Sequence, residues 1–370
     1  MTNRETLEEL FQTNEIDIRR SGLFDLDPEP LPRSFDFDRI EGMMLGLAIG
    51  DALGITTEGT IPHLRHQYFG EIRDYLPNRY VEPGPGKSAR GYPSDDTQLA
   101  FWTLEQLIED NGFKPEHVAN RFCRDRIFGI GSAVRGFVTA FQRGIEWHRA
   151  GQPSAGNGAL MRIAPILIPH LTRPSAELWV DTALCAMITH NDTASISACL
   201  AFVHILWELL HRKQPPEPSW WVREYVTAAR ELETERSYQP RGGNHRGYQG
   251  PISRFVIEKV PKAYDRGLSV MDACNSWYSG AFLLETVPSV LYILMKHGHD
   301  FEQAVLRAVN DTQDNDTIAA IVGAAVGALH GRKSIPPGWI ENLSGRTTDR
   351  DDGRVFELLD QAADRWAVKK

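Results

Sequence analysis

Cysteine is sparse in this chain. Its 370 residues hold only Cys123, Cys185, Cys199 and Cys274, with no CxxC spacing. That gives no disulfide framework to build on and fits a reducing, cytoplasmic compartment. Cys185 and Cys199 lie in apolar, helix-like stretches and read as small core residues. The N-terminus lacks the apolar segment of a signal peptide. No stretch approaches the ~20 uninterrupted apolar residues of a membrane span, so no membrane partner is expected. Positive charge is short as well: 40 Lys and Arg against 49 Asp and Glu leave a net charge of −9. A general nucleic-acid surface is therefore not expected. A phosphorylated ligand would have to be held locally, by backbone amides, metal or a few Arg side chains. Alternating β-branched runs and a βαβ rhythm are missing too, and no repeat of 20–50 residues shows.

With 42% hydrophobic residues the chain can bury a sizeable core, and its length allows one large domain or two. From Ile40 onward the apolar residues recur at helical spacing. Helices are predicted over Thr97–Glu109, Leu160–Leu171 (with a kink at Pro165), Ser175–Ile188, Ala194–Leu210, Val222–Glu233, Ala281–Met295, Phe301–Val309, Ile318–His330 and Val355–Trp366. The fold expected is all-α, one domain of roughly ten or more helices over residues 40–370. Gly42, Gly46 and Gly50 sit four residues apart, which lets another helix approach closely, at about 1 kcal/mol each relative to Ala. Residues 1–39 differ. A short acidic helix from Thr2 to Gln12 leads into a Pro-, Asp- and Phe-rich stretch, an extension whose spaced Leu and Phe residues favour docking on the body or on a partner. Between Ser237 and Ser253 lies a glycine-rich loop with Tyr238, Arg241, His245 and Tyr248. Long irregular loops in compact domains are often functional.

Two acidic clusters stand in opposite halves of the chain, Ser94-Asp95-Asp96-Thr97 and Asp314-Asn315-Asp316-Thr317, each running into an apolar helix. Such residues commonly cap helix N-termini, where carboxylates also meet the positive end of the helix dipole. Each cluster, however, offers more acceptors than one cap uses. Converging carboxylates repel one another unless a cation lies between them, and Mg²⁺ or Mn²⁺ prefers all-oxygen ligands of this kind. His63 and His66 share a helical face, but no Cys or His partner stands at zinc spacing.

Five segments in order carry a resemblance to a known family. They are Gly42-Met-Met-Leu-Gly46-Leu-Ala-Ile-Gly50-Asp51-Ala-Leu-Gly54 with Glu58 beyond it, Ser94-Asp95-Asp96-Thr97-Gln98, Gly156-Asn157-Gly158-Ala159-Leu160-Met161-Arg162, Thr189-His190, and Asp314-Asn315-Asp316-Thr317-Ile318. Any one is weak; all five together, over about residues 40–330, resemble the ADP-ribosylglycohydrolases, the group that includes the dinitrogenase reductase-activating glycohydrolases. The resemblance implies an orthogonal helical bundle around a two-metal centre. By match to the family motif, Ser94, Asp95, Asp96, Asp314, Asp316 and Thr317 would hold two divalent cations, Mg²⁺ or Mn²⁺. Glu58 matches the family's mobile-loop glutamate near the scissile bond, and Glu58, Asp95 and Asp96 are the catalytic candidates. Asp51, Ser154, Gly156, Asn157, Gly158 and His190 are assigned to substrate binding, with the Gly156–Gly158 turn offering amides to a diphosphate. The structural alternative for Asp51 is a partner for a nearby helix end. Arg162 reads as a structural ion-pair residue. Tyr238, Tyr248 and Trp277 are the candidate platforms for adenine. The sequence has Ser94 where many relatives have Thr, Thr312-Gln313 where Gly-Gly is common, and Asn315 where Thr or Ser is usual. These bulkier residues would alter the loop above the metals.

The function expected is release of ADP-ribose from modified protein side chains, with arginine favoured as the acceptor. Cleavage at ribose C1″ builds oxocarbenium character, which carboxylates and cations can serve. A rival from another class is an immunity protein whose N-terminal arm occludes an ADP-ribosyltransferase toxin. A third possibility, a two-metal phosphohydrolase, would release phosphate or AMP instead.

Overall fold

The apolar stretches fold as helices. The computed structural model describes residues 1–78, 81–82 and 88–367, and among these no β-strand forms. The described residues form seventeen α-helices and five 3-10 helices around one continuous hydrophobic core. Most expected helices are present with ends shifted by a few residues, for example Asp95–Asp110, Thr193–His211, Leu283–His297 and Asn315–His330. The stretch from Leu160 to Leu171 is a correction. It forms two 3-10 segments, Leu160–Arg162 and Ala164–His170, because Pro165 and Pro169 each remove an N–H that an α-helix needs. The helices Pro115–Phe122, Ser132–Gln142 and Val270–Trp277 are additional. They are short and amphipathic, and their polar faces blur the apolar period.

The helices Asp38–Gly54 and Asn315–His330 run antiparallel in backbone contact, and they set the site. A Cβ placed on Gly46 would lie 2.2 Å from the Gly323 carbonyl oxygen, and one on Gly50 would lie 2.2 Å from that of Ala319. Reciprocally, a Cβ on Gly327 would lie 2.0 Å from the Gly42 oxygen. The four-residue glycine spacing is thus the register of this crossing. It draws the C-terminal turn carrying Asp51 down to the N-terminal turn carrying Asp316.

Residues 1–37 lie along the body. Leu7, Leu10, Phe24, Phe35 and Phe37 are buried in the common core. Asn3 Nδ2 donates to Asp181 Oδ1 at 2.7 Å, and the indoles of Trp179 and Trp207 donate to the carbonyls of Leu26 and Glu29 at 2.8 and 2.9 Å. Two helical stretches, Asp38–Thr57 and Thr193–His211, have the length and hydropathy of a membrane span, but 83% and 89% of their apolar windows are buried inside the fold. They are the core helices of a globular bundle.

Candidate active site

The two acidic clusters sit at the starts of helices Asp95–Asp110 and Asn315–His330, as capping residues would. Neither the Ser94 nor the Asp314 side chain accepts a capping bond from the backbone amides of its own helix. The cap of the first helix comes from elsewhere. Asp51, fully buried, accepts from the Ser94 amide at 2.9 Å, from the Thr97 amide at 3.0 Å and from the Thr97 hydroxyl at 2.6 Å. A carboxylate from the glycine helix therefore holds the helix end, and the cluster's own oxygens are left for other work. The substrate-binding assignment of Asp51 gains this second role: it holds a helix end, it is not among the residues that line the cleft, and its carboxylate lies with those of Asp96 and Asp316.

Carboxylate oxygens of Asp51, Asp96 and Asp316 lie within 4.8 Å of one another, and so do those of Glu58, Asp314 and Asp316. The two sets share Asp316. Ser94 Oγ and Thr317 Oγ1 both approach Asp96 Oδ2, at 3.2 and 3.5 Å. Asp95 falls outside both sets but lines the same cleft. Asp96 Oδ1 and Asp316 Oδ1 are buried without a hydrogen-bond partner. Buried carboxylate oxygens are rarely left so, and the electrostatics agree. Burial pushes the Asp95 carboxyl up to about 8, with Asp51, Glu58 and Asp314 adding to the rise. Burial raises Asp314 to about 7, against the bond from Asn157. Asp96 and Asp316 are also pushed well above the ordinary carboxylate range, first by burial and then by neighbouring acids. Glu58 is exposed by surface area, yet its carboxyl faces the acids, and loss of water there with Asp51 nearby raises its pKa. The donor set, the shared member and the two orphaned oxygens all fit hard divalent cations.

A cleft of about 270 Å³ opens above the cluster. Glu58, Asp95, Asp96, Asp314, Asp316 and Thr317 line one side, and Ser154, Gly156, Asn157, Gly158 and His190 line the other. His190 is buried, and burial together with Arg162 lowers its pKa to about 3, so the ring is neutral. The Thr189 hydroxyl accepts from Arg162 Nη2 at 2.8 Å and lies 2.9 Å from His190 Nδ1, which leaves Nε2 toward the Gly156–Gly158 turn. Arg162 makes no ion pair among the described residues. It bonds Thr189 and the Cys185 carbonyl and lies over the Phe122 ring.

The Gly156–Gly158 turn offers fewer free amides than expected. The Gly156 amide donates to Ser154 Oγ at 3.2 Å and that of Asn157 to the Ala281 carbonyl at 3.1 Å. The Asn157 side chain donates to Asp314 Oδ2 at 2.5 Å and to Thr286 Oγ1 at 3.0 Å. Asn157 thus holds a cluster acid in place, whatever else it touches. The three aromatic candidates are not on the cleft wall. Trp277 is fully buried and bonds Ser289, the Tyr248 hydroxyl bonds the Pro251 carbonyl, and the Tyr238 hydroxyl bonds Asp192. Phe282 lines the cleft instead, with Tyr238 edge-on behind it. Its place at the head of an apolar helix makes it read as core. His66 bonds Asp311 while His63 is exposed, so the pair forms no metal group among the described residues.

Three supports have roles that the sequence did not reveal. Arg65, fully buried, donates through Nη1 to the carbonyls of Val309 and Thr312 at 2.9 and 2.7 Å and through Nη2 to that of Thr60 at 2.7 Å. It staples the Glu58 turn to the segment before Asp314. Asn315 points the same way, donating to Gly54 and Val309 carbonyls at 3.1 Å and to Thr57 Oγ1 at 3.0 Å. It therefore secures the turn before Glu58 and does not crowd the cleft as its bulk suggested. Tyr278 and Ser279 adopt positive φ of 84° and 48°. Such strain persists only where the surroundings enforce it. Here the Ser279 carbonyl accepts from the Asp314 amide at 3.0 Å.

The family model described as ADP-ribosylglycohydrolase matches residues 32–369. An uncharacterised protein of Archaeoglobus fulgidus is 32% identical over 84% of this chain and 92% of its own length. The ADP-ribosylarginine hydrolase Tri1 of Pseudomonas putida is 27% identical over 83% of this chain and 74% of its own. A solved structure described as an ADP-ribosylglycohydrolase-related protein complex superposes with a TM-score of 0.64 at 26% identity, covering 89% of this chain and 97% of that one.

Proposed function

The chain belongs to the ADP-ribosylglycohydrolase family, and from that membership we propose that it frees ADP-ribose from arginine side chains of modified proteins with the help of divalent cations. It is a glycosidic-bond hydrolase acting on ADP-ribosylated substrates. The observation that carries the cation requirement is the pair of orphaned buried oxygens on Asp96 and Asp316 within converging carboxylates. We assign Asp96, Asp314, Asp316, Ser94 and Thr317 to holding the cations, with Asp95 beside them. Two overlapping carboxylate sets favour two cations, Mg²⁺ or Mn²⁺. When bound, such cations supply Lewis-acid polarisation and orientation of ribose hydroxyls and water.

The chain's own groups then have definite tasks. Ser154, Gly158 and His190 bind the ligand on the wall opposite the acids, and Gly156 keeps that wall open. Glu58 takes the proton of the attacking water as its oxygen bonds to C1″. The C1″–N bond breaks, and the proton that Glu58 took from water passes to the leaving guanidine nitrogen, which restores the Glu58 carboxylate. Asp95 faces the positive charge that develops on the ribose. Arginine is favoured by the relative named for it and by the acidic rim of Glu58 and Asp95, which suits a guanidinium. A cytoplasmic setting accords with four free thiols. The immunity reading gains no support, because the arm's Leu7, Leu10 and Phe24 are buried on the chain's own helices.

The test is a panel of arginine-linked and serine-linked ADP-ribosylated proteins incubated with Mg²⁺. Release of ADP-ribose from the arginine-linked members is expected. Release from the serine-linked members alone would sink the arginine assignment.

A further inference from the structure

Arg241 is a basic side chain on a wall otherwise rich in acid. Five carboxylates line the cleft, those of Glu58, Asp95, Asp96, Asp314 and Asp316, and Arg241 is the one Lys or Arg among the lining residues described. It is held from behind. Glu285, with a side chain 0% exposed, accepts from the Arg241 backbone amide at 2.7 Å, from Nε at 3.2 Å and from Nη2 at 2.8 Å. A buried carboxylate spent wholly on one arginine fixes that guanidinium in place. Its side chain remains 52% exposed, and Nη1 has no partner among the described residues.

Its neighbours suggest what it receives. The guanidinium carbon lies 5.4 Å from the centre of the Phe282 ring. Phe282 pairs with Gly156 in an isolated antiparallel bridge, and the Leu283 amide donates to the Ala155 carbonyl at 2.9 Å. Arg241 therefore flanks the turn assigned to the diphosphate. Two of that turn's three amides are already engaged inside the protein. A diphosphate entering beside five carboxylates needs a positive partner that the turn alone does not provide.

We propose that Arg241, positioned by Glu285, is the diphosphate-binding cation of this cleft, so that Arg241 selects nucleoside diphosphate compounds over uncharged nucleosides. This rests on the ADP-ribose reading of the site. Binding of ADP-ribose, ADP and adenosine is measured calorimetrically with Mg²⁺ for the intact chain, for Arg241→Lys, for Arg241→Gln and for Arg241→Gln with Glu285→Gln. The double variant replaces the ion pair by a neutral pair of similar shape, which avoids stranding a buried carboxylate. ADP-ribose and ADP should weaken about tenfold or more in both glutamine variants, with adenosine unchanged and part of the affinity kept by Arg241→Lys. Affinity for ADP should also depend less on salt in the glutamine variants. Equal weakening for adenosine would show a merely structural role and overturn the proposal, and so would unchanged ADP-ribose affinity. If the intact chain binds no ADP-ribose, the parent reading fails and takes this inference with it.

Discussion

Neutralising one acid of the cluster should make the chelated protein more stable at neutral pH while removing its response to divalent cations. Asp314→Asn is the perturbation. The Asp314 carboxyl stands at about 7 in the folded chain against an ordinary 3.8. A carboxyl whose folded pKa is raised keeps its proton when folded and loses it when unfolded, so stability falls as pH rises between the two values. From about pH 5.5 to about pH 7 the loss is roughly 2 kcal/mol, at 1.36 kcal/mol per pKa unit. Asp95, raised to about 8, acts in the same direction. For 370 residues the unfolding entropy is about 0.8 kcal/mol/K, so 2 kcal/mol corresponds to about 3 °C in Tm. The assay is thermal unfolding in chelator at about pH 5.5 and about pH 7.5, then with Mg²⁺ or Mn²⁺ added. The unaltered chain should lose about 3 °C or more between the two pH values in chelator. Cation at a hundredfold excess over its Kd should restore about 2.7 kcal/mol. Asp314→Asn should lose less with pH, start higher at about pH 7.5 and respond weakly to cation. A variant that is less stable at neutral pH and still responds fully to cation would refute the electrostatic account of the cluster.

Gly50→Ala should cost about 1–3 kcal/mol in chemical denaturation, because its Cβ would meet the Ala319 carbonyl oxygen at 2.2 Å and force the helices apart. It should weaken cation binding as well, since the same crossing aligns Asp51 with Asp316. Arg65→Met strands several buried carbonyls and should cost roughly 3 kcal/mol or more, read as a fall in denaturation midpoint. Glu58→Gln should lower kcat by about 10²–10⁴-fold with stability within about 0.5 kcal/mol of the unaltered chain, since Glu58 is exposed and its loss leaves no cavity. Steady-state kinetics beside a melting curve checks both halves of that statement.

The helical architecture was legible because Leu, Ile, Ala and Val recur at helical spacing in the long core helices. The Gly42–Gly46–Gly50 spacing went further, foretelling a close crossing without naming its partner. Hydroxyl and carboxyl residues at two helix starts announced a shared site, and the structure brings them together. What the sequence hid lies in contacts between distant segments. Nothing near Arg65 signals that its guanidinium will bind carbonyls some 250 residues away, since an arginine reads as surface by default. Asp51 carries the same ambiguity: one carboxyl on an apolar helix can face a ligand or hold another helix end, and its bonds to Ser94 and Thr97 cannot be read from its own neighbours in sequence. Phe282 reads as core because it heads an apolar helix, and Arg241 reads as loop charge until Glu285 is seen beneath it. The 3-10 turns after Leu160 were disguised by apolar residues in helical register, where two prolines outweigh the pattern.

The most direct test is mass-spectrometric identification of the product released from an arginine-ADP-ribosylated protein, with Mg²⁺, with chelator and with Asp316→Asn. Intact ADP-ribose should appear only with the unaltered chain and cation, leaving unmodified arginine behind. AMP or phosphate as the product, or undiminished release of ADP-ribose by Asp316→Asn in chelator, would contradict a glycosidic hydrolase built on these two acidic clusters.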